Sequence, residues 1–335
     1  MSLRRQSMKI ITRRHILLSG IALAMAQLAH AQPAAADKNA IRFLVGFSAG
    51  GGTDMVARLI AEKLRDVLGQ TVIVENRAGA GGRIAADALV SATPDGDTFM
   101  VANNAVLTFQ TLVFGKQIRW NYKHDFAPVV GISSYPLGLA VPSSLGVKTL
   151  PEFIRWLREH PAQATFGTTG LGGQTHFLGE ALGQSIGVAM NAVPYKGATP
   201  MVTDLVGGQL PAAVGLMDDM LKFHRAGSIR VIGIFSAARS PLIPDIPTIN
   251  EQGYKLMVSE GWQGIWAPAR TPRAKIERMQ NAVKKVLEMP DVQRAMMTRL
   301  NVQPTYRSAS DVALLLEAEM KQWAPIIKAS GFKPD

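Results

Sequence analysis

The segment Ile41-Arg42-Phe43-Leu44-Val45-Gly46-Phe47-Ser48-Ala49-Gly50-Gly51-Gly52-Thr53-Asp54 passes from an apolar strand through a glycine run into a helix, and this restricts the chain to few folds. A strand that is apolar without alternation is covered on both faces. The helix that follows, 53–68, puts Met55, Val56, Leu59, Ile60, Leu64, Val67 and Leu68 on one stripe, the side that packs back on the sheet. The unit repeats: strands are expected at 71–75, 98–102, 126–132, 137–141, 165–168, 192–195, 212–217 and 229–235. Helices are expected at 82–91, 149–159, 174–186, 198–206, 272–289, 291–300 and 308–328. Alternation of this kind predicts an α/β fold of mainly parallel sheets flanked by helices. Punctuation at 133–136 and again at 253–261 offers two crossings between lobes, which would make the first lobe discontinuous.

The residues before this pattern are a targeting segment. Arg4, Arg5, Lys9, Arg13 and Arg14 precede an apolar run from Ile16 to Leu28, and Ala29-His30-Ala31 supplies a small-x-small cleavage signal. The run is shorter than the roughly 20 residues a membrane span needs, so residues 1–31 read as a signal peptide and the remainder as a soluble exported chain. Thr12-Arg13-Arg14-His15-Ile16-Leu17-Leu18 also resembles a twin-arginine export signal. Five cations of the formal +11 charge sit in the leader, so the rest is only mildly basic. It lacks the clustered Lys and Arg expected of a nucleic-acid partner. The chain has no cysteine, which excludes disulfides, thiol nucleophiles and Cys-bound metals.

The glycine-rich junctions invite several chemistries. Gly46-Phe47-Ser48-Ala49-Gly50 satisfies the GxSxG nucleophile elbow between a strand and a helix. Several strands precede that elbow in a hydrolase, whereas only one does here. The further glycines favour exposed backbone over a strained serine. A base would have to be His124, His160, His176 or His224, and a lone histidine is more often structural. A phosphate loop lacks its Lys, because the run ends in Thr53-Asp54. The runs from Gly79 and from Gly170 miss the last glycine of the dinucleotide fingerprint. No HExxH or spaced metal-ligand cluster occurs, so neither a metal nor a cofactor is expected.

Two hydroxyl- and glycine-rich strand-to-helix junctions remain, one in each expected lobe. The second is Thr165-Phe166-Gly167-Thr168-Thr169-Gly170-Leu171-Gly172-Gly173-Gln174-Thr175-His176. Facing each other, two helix N-termini would form a carboxylate clamp that binds without catalysing. The plainer alternative makes each a tight turn capped by Thr53 or Thr175.

Gly50-Gly51-Gly52-Thr53-Asp54, Val74-Glu75-Asn76-Arg77-Ala78-Gly79-Ala80-Gly81-Gly82, Pro94-Asp95-Gly96, Phe126-Ala127-Pro128-Val129, Val193-Pro194-Tyr195-Lys196-Gly197-Ala198 and Pro244-Asp245-Ile246-Pro247-Thr248 occur in the order seen in one family. On these motifs the chain resembles the substrate-binding receptors of tripartite tricarboxylate transporters, the Bug or TctC family, over essentially its whole exported length. The resemblance implies a two-lobed periplasmic-binding-protein fold, type II-like, with a ligand cleft between the lobes. It implies lobe 1 over 32–136 and 258–335 and lobe 2 over 137–257. It also implies a monomeric, non-enzymatic receptor in the periplasm that delivers a dicarboxylate, amino acid or aromatic acid to membrane permease subunits. Carried across by position, the ligand-binding residues would be Phe47, Ser48, Gly51, Gly52, Thr53 and Asp54 on one side and Thr168, Thr169, Gly172 and Thr175 on the other. Asn104 and Asp218 complete the set.

Departures from the family pattern bear on the ligand. Leu171 and Gly173 stand where Asn and Ser are usual, and Ser48 and Ala49 replace prolines. Met217-Asp218-Asp219 brings negative charge that would favour a ligand with a cationic group, unless both aspartates cap the helix that starts there. Arg77, Arg83 and Lys196 read as solvated surface charge, and Trp262 and Trp266 as packing residues near the second crossing. A serine hydrolase using Ser48 and a ligand sensor for a signalling partner are the rival functions.

Overall fold

The computed structural model describes residues 40–195, 197–255 and 258–334. The leader, its cleavage site and Lys196 lie outside them. β1 (Ile41–Val45) pairs in parallel with β2 (Val72–Asn76) and β3 (Thr98–Asn103). β3 pairs antiparallel with β9 (Glu260–Pro268), and β9 with β4 (Phe126–Pro142). β4 then pairs antiparallel with β7 (Ala213–Leu216) and β8 (Ile229–Ile234), and β7 continues in parallel to β5 (Thr165–Thr168) and β6 (Asn191–Pro194). β10 (Gln303–Arg307) is a further antiparallel partner of β4.

The result is one curled sheet in two halves, joined by β4. Residues 126–136 of this strand pair with β9 and residues 137–142 with β7 or β8. The sequence suggests two strands broken at Ser133 to Pro136, but Pro136 sits opposite Glu260 in the ladder and the strand runs through. Every antiparallel pairing involves β4 or β9, so the parallel βαβ pattern legible in the sequence belongs to the flanks and not to the centre.

Helices cover both faces. In the first half, Phe43 and Val45 of β1 join Val56, Ile60 and Leu64 of α1 (Gly52–Leu68) and Val283 and Val286 of α8 (Arg273–Leu287). Leu44, pointing the opposite way as strand alternation requires, joins Leu89 of α2 (Arg83–Val90) and Val106 of α3 (Asn104–Phe114). In the second half one core gathers Phe153 of α4 (Leu150–Glu159) and Leu182 of α5 (Gln174–Ile186). The other gathers Leu205 of α6 (Ala198–Val206) and Met220 of α7 (Met217–Arg225). α9 (Pro290–Thr298) adds Val292 and Met296 to the first core. The C-terminal α10 (Ala309–Ser330) belongs to both halves, with Val312 and Leu316 in the first and Trp323 and Ile327 in the second. Trp262 and Trp266 are buried packing residues, as expected.

Candidate functional site

Between the halves lies a cavity of about 470 Å³. The first half contributes Phe47, Ala80, Gly81, Arg83, Asn103, Asn104, Ala105, Gln110 and Phe114, and β4 contributes Tyr135 and Leu137. The second half contributes Thr169, Gly170, Leu171, Gly173, Gln174, Thr175 and Leu216.

Four helices begin at this wall. The N-caps of α2, α3, α5 and α7 are Gly82, Asn103, Gly173 and Leu216, and none supplies a side-chain cap. The first-turn N–H groups of α2, α3 and α5 are not taken by a capping side chain, and the positive ends of their dipoles face one space, whereas the first turn of α7 carries Asp218 and Asp219. Side-chain caps occur on α4, from Thr149, and on α10, where Ser308 and Asp311 form a capping box, while α1, α6, α8 and α9 also lack them, so what marks this wall is that several helix starts meet at one space. A cavity so built attracts an anion.

The sequence-derived residues divide on this geometry. Phe47, Asn104, Thr169 and Thr175 line the cavity; Ser48, Gly51, Gly52, Thr53, Asp54, Thr168, Gly172 and Asp218 do not. Thr168 is buried behind the wall, with its hydroxyl 2.7 Å from that of Thr175. Gly172 lies under Phe332, whose ring would meet a β-carbon at 2.9 Å. His176 holds this turn: its Nδ1 accepts the Gly172 N–H at 3.1 Å, which leaves Nε2 to donate to Glu180 at 3.1 Å.

At the first junction the chain supplies its own anion. Asp54 is buried; its Oδ2 accepts from Gly50 N–H at 2.8 Å and Arg58 Nε at 2.9 Å, and its Oδ1 from Asn76 Nδ2 at 2.8 Å. Burial alone would raise this carboxyl, but the bonds from Arg58, Gly50 and Asn76 hold it below its ordinary value. Asn76 also donates to Phe47 O at 3.0 Å, which fixes the end of β1. The Thr53 hydroxyl accepts from Gln263 of β9 at 3.4 Å. Asp218, from the second half, stands across the start of α1, its Oδ2 3.2 Å from where a β-carbon on Gly52 would lie. Burial and the neighbouring Asp219 push Asp218 up to about 7, and burial raises Asp219 against the pull of Lys222. Both aspartates occupy the first turn of α7, where Asp218 Oδ1 accepts the Asp219 N–H at 3.0 Å.

Ser48 is exposed, and none of the described histidines forms a hydrogen bond with it; its carbonyl accepts Gly51 N–H at 3.2 Å in a simple turn.

Local reading of the sequence does not reveal several wall residues. Arg83, taken there as surface charge, lines the cavity, whereas Arg77 is 3.1 Å from Glu75 as an exposed pair. Gln110, Phe114 and Tyr135 also line it. Burial pushes the Tyr135 phenol well above its ordinary value. Asn104 is held from behind by Glu319 of α10, whose Oε1 accepts from Asn104 Nδ2 at 3.0 Å and from Trp262 Nε1 at 2.8 Å. Glu319 Oε2 accepts from Thr108 at 2.9 Å. Burial raises Glu319 in spite of these three bonds.

Comparison with known proteins gives a consistent picture. Residues 56–332 match the model of the tripartite tricarboxylate transporter family receptor. Protein BugT of Bordetella pertussis is 32% identical over 320 residues, which cover 95% of this chain and 98% of that protein. The solved structure of R. palustris Rpa4515 with adipate is 30% identical, with a TM-score of 0.80 over 89% of this chain and 99% of that one. MatC of Rhodopseudomonas palustris with bound malate is 28% identical, with a TM-score of 0.75 over 86% and 98%.

Proposed function

The chain belongs to the tripartite tricarboxylate transporter receptor family and has its periplasmic-binding-protein fold, and on that premise we propose that it is an exported solute receptor. It captures a small organic carboxylate in the cavity between its halves and delivers it to a membrane permease in the periplasm, without a chemical step. The proposed lobes are 32–136 with 258–335, and 137–257, hinged where β4 and the approach to β9 cross between them, with α10 packed on the cores of both.

The observation that carries this reading is the convergence of three helix starts, those of α2, α3 and α5, on one cavity. Backbone donors of this kind bind a carboxylate and offer no nucleophile. Phe47, Asn104, Thr169 and Thr175 are the proposed direct contacts, while Thr168, Gly172 and Asp54 hold the turns that carry them. The bound malate and adipate of the two relatives support the same ligand class. Among the described residues no helix is long and apolar enough to cross a membrane.

Thermal shift against a panel of dicarboxylates, amino acids and aromatic acids tests the proposal, together with mass spectrometry of any ligand retained on purification. A cognate acid at a hundred times its Kd stabilises the folded state by about 2.7 kcal/mol, a rise of several degrees in Tm. A panel without effect, on a protein that carries no retained ligand, would defeat the receptor reading.

A further inference from the structure

The cavity wall holds one full charge. Among the described lining residues Arg83 is cationic and none is acidic. Its guanidinium lies 3.7 Å over the Phe114 ring, and its Nη1 donates to Gln110 Oε1. Both supports come from α3, the neighbouring helix. Gln110 reaches it because Gly81 has no side chain: a β-carbon there would lie 2.6 Å from Gln110 Nε2, at a φ of +63° that favours glycine in any case. Gly82 does the same for the helices, since its β-carbon would lie 2.6 Å from Val106. The glycine run 79–82, which resembles a broken dinucleotide fingerprint in the sequence, thus packs α2 against α3 and brings the arginine to its braces.

The braces leave most of the guanidinium free. Of the five N–H donors an arginine carries, only the one to Gln110 has a partner among the described residues, and no described carboxylate forms an ion pair with Arg83. Other arginines of this half differ: Arg58 meets Asp54 at 2.9 Å, and Arg42 meets Glu75 at 3.6 Å. A stacked, half-buried guanidinium with unused donors is organised in advance for a carboxylate fork.

We propose that Arg83 is a specificity-determining residue of the cavity: it grips one acidic group of the ligand while the start of α5, on the opposite wall, holds another, so the receptor selects dianions over monoanions. The proposal rests on the receptor reading above. It replaces the purely backbone clamp with one backbone pole and one side-chain pole.

The test is calorimetric titration of the purified protein with malate and adipate, each beside its monoamide, in which one carboxylate is neutralised at nearly constant shape. Where another acid from the thermal-shift panel binds better, it and its monoamide serve instead. The wild type is expected to prefer the diacid at least tenfold. Arg83→Ala should weaken the diacid by about 10- to 100-fold, the range of a charge-assisted hydrogen-bonded pair, and narrow the gap between diacid and monoamide. Arg83→Gln keeps a polar group and serves if the alanine variant folds poorly; Arg83→Lys should restore part of the preference. Unliganded Tm should stay within a few degrees of wild type. Equal binding of diacid and monoamide, or a diacid preference that survives Arg83→Ala and Arg83→Gln, overturns the proposal while leaving a receptor. A wild type that binds no acid at all overturns the receptor reading instead.

Discussion

The two glycine-rich junctions share a strand, a run of glycine and hydroxyl residues, and a helix start, yet they end in opposite states. At the β1 to α1 junction Asp54 draws in Gly50, Arg58 and Asn76, Asp218 stands opposite Gly52, and only Phe47 reaches the cavity. At the β5 to α5 junction no acid enters. The turn is held instead by His176 from within the helix and by Phe332 packed on Gly172, which leaves Thr169, Gly170, Gly173 and Thr175 on the wall. A glycine run announces available N–H groups but not their acceptor. That is settled by the carboxylate at position 54, four residues after the Gly50 whose N–H it accepts.

The comparison breaks most directly at Asp54. Asp54→Ala removes the acceptor of three hydrogen bonds and leaves the Gly50 N–H and one N–H of Asn76 without their acceptor in a part-buried site. A loss of about 2–4 kcal/mol is expected, since each stranded polar group costs about 1–3 kcal/mol, and urea denaturation reads it. If the variant keeps its stability and loses ligand, the first junction is a ligand contact after all.

Asp218 gives the next largest effect and carries a sign. Its folded-state value of about 7 lies above the ordinary 3.8, so the folded chain binds the extra proton. Stability from this group is full below about 4, falls as pH rises toward 7 and stays low above it. Asp218→Asn should therefore stabilise the protein at pH 8 by on the order of 2–4 kcal/mol and change little at pH 4. Denaturation midpoints across that range check it, and a variant that follows the wild-type pH profile would show Asp218 to be ionised and well solvated.

How far these states can be read from sequence depends on the range of the interaction. The helices 174–186 and 198–206 coincide with α5 and α6, and 53–68 with α1 to within one residue, because period and glycine punctuation are local. β9 is hidden because Gly261, Gln263 and Gly264 interrupt its apolar run; Tyr135 packs where Gly261 has no side chain, and Gln263 is spent on Thr53 and Ser133. β10 is a polar edge strand with no apolar pattern to detect. Arg83 reads as solvent-exposed because its braces, Gln110 and Phe114, sit a whole strand and helix later. The place of Thr169 and Thr175 on the cavity wall follows from the second junction's local pattern, whereas the hold on Asp54 in the first is not local, because it depends on Asn76, a whole helix and strand later.

The smallest effect separates the junctions without disturbing either fold. The Thr168 hydroxyl can donate to Gly170 O at 3.3 Å or to Thr175 Oγ1 at 2.7 Å. The second bond is shorter, and it frees the Thr175 hydrogen to donate into the cavity, toward a carboxylate. Thr175→Val keeps the volume and removes that donor, so ligand affinity should fall about three- to tenfold, the scale of one hydrogen bond of about 1 kcal/mol, with Thr168 turning to Gly170. Ser48→Ala, at the exposed bend of the other junction, should leave affinity and stability within about 0.5 kcal/mol of wild type. Titration of both variants with one acid decides the matter. Equal losses would mean that closure brings the first junction onto the ligand, and the asymmetry would then belong to the unliganded state alone.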